Sequence, residues 1–136
     1  MSSNIFADNT TLLLKKNLNL RLQNQQIIAG NVANAQTPGY SAKRLEFQNA
    51  LRQAADSSEH GMTVTNPRHI SPSGGSIEAV QGKVTEIKND QGIGDGNSVE
   101  VDQEMLLMAQ NQLMYEASVQ LLNKKMGIIK YVVQGN

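Results

Sequence analysis

The last third of the chain carries one unbroken pattern that dictates its shape. From Val101, steps of four and three land on Met105, Met108, Gln112, Tyr115, Val119, Leu122, Met126, Ile129 and Val133. Gln112 alone interrupts an otherwise apolar or aromatic line. That spacing is the seam of a helix packed lengthwise on another helix. Acidic Glu100, Asp102 and Glu104 fall at its expected start, and Lys124, Lys125 and Lys130 lie towards its end. Both placements suit the helix dipole. Such a helix runs on the order of 50 Å at ~1.5 Å per residue, too long for the middle of a small globule. It is a rod, and it needs a partner.

The partner is at the other end of the chain. Between Asn9 and Ala35 the same stepping passes through Leu18, Leu22, Gln25, Ala29 and Val32. Asn9 or Thr10 is placed to cap this helix, and Pro38 stops it by pushing Thr37 out of the helical region. Two heptad-patterned ends predict an antiparallel hairpin with the middle as a protrusion. In the flush register Gln25 faces Gln112, and a buried amide pair fixes register at some cost in stability.

The middle reads differently. Residues 56–97 are rich in Ser, Gly, Asn and Pro, and only the alternating runs "MTVT" (62–65) and "KVTEIK" (83–88) have strand character. The rest buries too little apolar surface to offset ordering. Between Ala42 and Ala55, Leu45, Phe47 and Leu51 are the only anchors, and they predict a short helix. The expected fold is therefore mainly α: long terminal helices paired as a coiled-coil-like hairpin, with an irregular middle carrying at most short β-strands. By segment this is a helical stretch at 1–36, a turn, short helix and variable loop or β region at 37–98, and a second helical stretch at 99–136.

Chemistry is sparse. His60 and His69 sit in the loop-like middle without a partner carboxylate at helical spacing, so they are read as solvated rather than catalytic or metal-binding. "GIGDG", Gly92 to Gly96, lacks the glycine order of a phosphate loop and the acidic ligands of a calcium loop. It is read as a flexible entry that releases the chain before the helix begins near Ser98. No cysteine is present, which removes disulfides, thiolate metal sites and thiol nucleophiles together. No catalytic, cofactor-binding or metal-binding residue is assigned, and no enzyme is expected. With 12 basic and 12 acidic side chains there is no basic excess to hold nucleic acid. No secretory leader or membrane-length apolar run is read, so either the protein stays in the cytosol or it leaves without a cleaved leader.

The first helix ends in an unusual way. "NVANAQTPGY" sets Asn31 and Asn34 one turn apart among small alanines, directly before a Pro-Gly turn and Tyr40. Pro38 and Gly39 suit a sharp turn. Turn chemistry leaves the paired amides unexplained. The stretch resembles the Asn-x-Ala-Asn-x-x-Thr-Pro-Gly-Tyr motif of bacterial flagellar rod and hook axial proteins, which Asn31, Ala33, Asn34, Thr37, Pro38, Gly39 and Tyr40 fill completely. The short length, "NPRHIS" at 66–71 and "DGNSVEVDQEM…QNQLMYEASVQLL" are similar to the proximal rod branch of that family. Ser118 in Tyr-x-Ala-Ser separates it modestly from the FlgC-type branch.

The resemblance implies a building block exported through the flagellar type III apparatus and polymerised into the rod of the basal body, where it transmits torque from motor to hook. It implies partners: other copies, FlgC-type rod proteins, the adaptor FliE and the export apparatus. The export motif of axial substrates, Phe followed four residues later by an apolar residue, is not met, because Thr10 follows Phe6. Terminal helices of this kind order when neighbours bury their stripes, and the Asn31–Asn34 end is expected to hold the helix exit against adjoining subunits. The same seams also fit a FlgC-type subunit or a cytosolic coiled-coil adaptor or chaperone.

Overall fold

The first helix, α1, runs from Asn9 to Ala33 and carries two adjacent stripes with a seven-residue repeat. Leu13, Leu20 and Ile27 form one, and Asn17, Asn24 and Asn31 the other. Each stripe meets a different part of the molecule, and together they organise the fold. The computed structural model describes residues 8–59, 76–89 and 94–135. Phe6, His60, the "MTVT" run, "NPRHIS" with His69, and Ile93 lie outside the described residues.

After α1 the chain turns into strand β1 (Ala42–Glu46), helix α2 (Gln48–Glu59), a 3-10 turn (Ile77–Ala79), strand β2 (Lys83–Ile87) and the long helix α3 (Val101–Gln134). The strand expected in "KVTEIK" is present as β2. Ala42–Ala55, read as one helix, is instead a strand followed by a helix. The strand forms because β1 has hydrogen-bonding partners on both sides. β2 pairs with it antiparallel, from Ala42 opposite Ile87 to Glu46 opposite Lys83. The Asn31 side chain occupies its other edge.

A two-stranded sheet is marginal alone. Here it is held by packing. Leu20 of α1, Leu45 of β1, Phe47, Ala54 of α2, Ile77 and Val80 form the buried core, with Leu12, Leu13, Ile27 and Leu51 packed against it. The apolar stripe of α1 thus faces the middle of the chain, not the other terminal helix. Gly82 lies flat against this core. A Cβ added there would meet Leu45 Cδ1 at 2.6 Å and Cγ at 2.8 Å. Gly82→Ala is therefore expected to lose about 1–3 kcal/mol by overpacking. In urea unfolding this appears as a lower midpoint with an unchanged slope.

The start of α1 differs from expectation. Asp8, not Asn9 or Thr10, occupies the cap position, and its carbonyl accepts from the backbone N–H groups of Thr11 and Leu12 at 2.9 and 3.1 Å. At the far end, α3 stops at Gly135, whose φ of 67° is the left-handed conformation that terminates helices.

Candidate functional site

The two long helices do pair antiparallel, but along a polar line. The Asn17, Asn24 and Asn31 stripe meets Ser118, Asn111 and Glu104, which repeat with the same seven-residue spacing on α3. Asn17 Nδ2 donates to Ser118 Oγ at 2.8 Å, Asn24 Nδ2 to Asn111 Oδ1 at 3.1 Å, and Asn31 Nδ2 to Glu104 Oε2 at 3.0 Å. Asn111 Nδ2 also donates to the Arg21 carbonyl at 2.9 Å and to Gln25 Oε1 at 2.8 Å. At the open end Lys125 pairs with Asp8 and holds that carboxyl below its ordinary value.

This corrects the expected seam in register and in face. Gln25 meets Asn111, and Gln112 points outward to bond Glu116. Met108, Tyr115, Leu122 and Ile129 are retained on the inner face, where they alternate with Glu104, Asn111, Ser118 and Lys125. Val101, Met105, Met126 and Val133 are exposed instead, as are Leu22 and Ala29 on α1. Leu18, Gln25, Val32 and Val119 are half-buried. Polar groups hold the inner positions because each is satisfied by a partner across the hairpin, and satisfied polar groups can be buried.

The ladder is anchored at Asn31, which is fully buried. Its carboxamide pairs with the Lys43 peptide as a neighbouring strand would: Nδ2 donates to the Lys43 carbonyl at 2.8 Å, and Oδ1 accepts the Lys43 N–H at 2.9 Å. Tyr40 O–H reaches the same Oδ1 at 3.4 Å. The other side of Glu104 is closed by Arg44, whose guanidinium lies 2.6 Å from Oε1. One asparagine therefore ties α1, β1 and α3 together, and a buried carboxylate has both an amide and a cation. Asn31 is not among the residues of the expected seam line. It is the seam's innermost rung.

The rest of the motif closes the end of α1. Asn34 Nδ2 donates to the Gly30 carbonyl at 2.8 Å, and the Thr37 hydroxyl donates to Asn34 Oδ1 at 3.2 Å. Gly39 takes a φ of 71°, which a side chain would resist, so the turn after Pro38 needs it. Ala33, Thr37, Pro38 and Gly39 are exposed and Tyr40 is half-buried.

The loop expected to release the chain does the reverse. Asn97 Nδ2 donates to the carbonyls of Asn34, Ala35 and Thr37 at 2.9, 3.0 and 2.8 Å, fastening the turn that follows α1. Gly39 N–H donates to the Asp95 carbonyl at 2.9 Å. Ser98 N–H donates to the Tyr40 carbonyl at 3.1 Å, and Ser98 Oγ accepts the Ala42 N–H at 2.8 Å. "TPGY" and "DGNS" thus form one stitched corner. Sequence reasoning missed Asn97, although an Asn between Gly96 and Ser98 is a residue that favours local backbone bonding. Asn97→Ala is expected to cost about 1–2 kcal/mol of stability, against under about 1 kcal/mol for Asn34→Ala, whose bonds are local. Thermal unfolding of the two variants checks the order.

Outside, α3 carries a long apolar face between its exposed polar residues. Leu106, Leu113, Met114, Leu121, Ile128, Tyr131 and Val132 are all more than half exposed, the lowest being Met114 at 53%. Among the described residues there is no cluster of three His, Cys, Asp or Glu side chains able to hold a metal ion. No described helix is long and apolar enough to cross a membrane.

No family model matches the chain. Curated relatives do. The flagellar basal body rod protein FlgB of Bacillus subtilis is 37% identical over 113 residues, covering 82% of each chain. The FlgB protein of Escherichia coli K12 is 33% identical over 128 residues, covering 88% of this chain and 89% of its own length. That of Proteus mirabilis is 30% identical over 132 residues, covering 93% and 95%. A hairpin closed by the Asn31 motif and similarity along nearly the full length of these proteins lead to one assignment: the chain belongs to the FlgB family of flagellar basal body rod proteins.

Proposed function

We propose that this chain is a structural subunit of the proximal rod, exported through the flagellar type III apparatus without a cleaved leader and polymerised in the cell envelope to transmit torque from motor to hook. Its neighbours are other copies, FlgC-type rod proteins and the adaptor FliE. The terminal segments, 1–36 and 99–136, carry the axial packing, and 37–98 brace it.

One observation carries this reading. α3 is fixed to α1 by its polar rungs, yet keeps a continuous apolar face in solvent. A large apolar face left in solvent marks a surface for a further partner. The exposed seam positions Leu22, Val101, Met105, Met126 and Val133 join that outer surface and are assigned to contacts between subunits. The motif residues Asn31, Ala33, Asn34, Thr37, Pro38, Gly39 and Tyr40 act through the hairpin, by setting the angle and register at which α3 is presented.

The test is deletion of the gene followed by electron microscopy of isolated basal bodies. Loss of the rod, with rings retained and complementation by the intact gene, is the expected result. Complete rods in the deletion strain, with the protein recovered only from cytosol, would favour the adaptor reading instead.

A further inference from the structure

A groove of about 360 Å³ lies between α1 and α2, with Asn17 of the polar ladder in its lining. Leu13, Leu14, Phe47 and Leu51 line it, with Arg21 and Arg52 beside them. Arg21 is half-buried with its guanidinium 5.8 Å above the Phe47 ring, and its Nε has no hydrogen-bond partner among the described residues. The groove is thus an apolar trough rimmed by two cations, one of them partly desolvated. A fitting occupant brings short apolar side chains together with carboxylates.

The same chain displays such a segment. The first turns of α3 expose Val101, Met105 and Leu106, and Glu100 and Asp102 are exposed beside them. These apolar groups have no role within the hairpin. They cannot reach the groove of their own molecule, because α3 begins beside the end of α1 at Asn31, whereas the groove lies along Leu13–Arg21. At ~1.5 Å per residue that is roughly 20 Å away.

We propose that the acidic start of α3 in one copy docks into the α1–α2 groove of the next, with Asp102 and Glu100 facing Arg52 and Arg21 and with Met105 and Leu106 over the apolar floor. The contact is heterologous: groove and occupant are different surfaces of one chain. Repetition therefore runs head to tail and gives a ring or an open helix rather than a closed pair. The opposed charges select the direction and register of docking. This rests on the rod-subunit reading and supplies its copy-to-copy contact.

The chain has no cysteine, so a reporter pair can be introduced cleanly. With Gln48→Cys and Met105→Cys in one motile strain, a short bismaleimide applied to isolated basal bodies should join copies of this chain into dimers and longer ladders. Each single variant should give none. Arg52→Glu and Asp102→Arg, both at exposed positions, should each lose motility, and the two together should restore it. Circular dichroism of the purified variants separates a lost contact from a lost fold. Basal bodies that contain the chain but join the thiol introduced at position 48 only to a different protein, or to nothing, overturn the docking and leave the rod-subunit reading standing. So does a charge swap that fails to restore motility. Basal bodies without the chain overturn the rod-subunit reading itself.

Discussion

Asn31→Ala is expected to lower the unfolding free energy of the isolated chain by about 3–5 kcal/mol, close to what breaking a buried charged pair costs. The loss is large because the side chain has partners on two other elements. Without it, Glu104 keeps Arg44 but loses the amide donor at 3.0 Å, in a position with no exposure to solvent. On that edge of β1 the Lys43 N–H loses its acceptor, and the Lys43 carbonyl keeps only the Arg44 guanidinium. Each stranded group costs roughly 1–3 kcal/mol in desolvation. Asn31→Leu should be no better, since it fills the space and satisfies nothing. Glu104→Gln should cost a comparable amount, because its amide oxygen can still accept from Asn31 but its NH2 group then faces the Arg44 guanidinium, which loses its counter-ion. Urea unfolding followed by circular dichroism ranks the three. A loss below about 1 kcal/mol for Asn31→Ala would mean that water or a neighbouring group replaces the amide, and the hub would not hold the hairpin.

That hub explains why one part of the fold is legible in the sequence and another is not. α3 announces itself through an apolar period sustained over its whole length, and a second such helix at the opposite end implies a hairpin. The face used for pairing is displaced by one position from the apolar line. The rule that apolar residues go inside selects Met105, Gln112 and Val119, while the inner layers are in fact built on Glu104, Asn111 and Ser118. No single-residue property marks these as buried. Each is buried because a named partner on α1 satisfies it, and that pairing is a property of the tertiary structure. A legible trace exists all the same: Asn17, Asn24 and Asn31 repeat at seven residues, and so do Glu104, Asn111 and Ser118. Two polar heptad lines of equal length, one from each helix, signal a ladder.

β1 is hidden for a related reason. "AKRLE" has no alternation that distinguishes strand from helix, and its outer hydrogen bonds go to a side chain twelve residues earlier. The corner formed by "TPGY" and "DGNS" is half legible. Gly39 and Pro38 mark the first turn, but Asn97 meets its three carbonyls from sixty or more residues away. Turn chemistry predicts that a chain bends there. It does not predict what the bend is fastened to.

The outer face of α3 gives the other large effect, and it separates folding from assembly. Leu113 is 67% exposed and makes no part of the buried core. Leu113→Asp should therefore leave the stability of the isolated chain within about 0.5 kcal/mol, as for surface substitutions away from packed features. In the assembled rod the same carboxylate would be enclosed by a neighbour without a matching cation, and burying an unpaired charge costs several kcal/mol. The penalty recurs at every equivalent contact. Motility and rod recovery should be abolished, not merely reduced. Leu113→Ala removes contact area without adding charge, and its effect should be milder. Met108→Asp is the informative opposite: Met108 lies on the inner face of the hairpin, so there the isolated chain itself should be destabilised. The two substitutions lie on opposite sides of one helix, and urea unfolding beside basal-body microscopy distinguishes them. Normal rods with aspartate at position 113 would mean that this face stays in water after assembly, and the reason for an apolar exterior on α3 would have to be sought elsewhere.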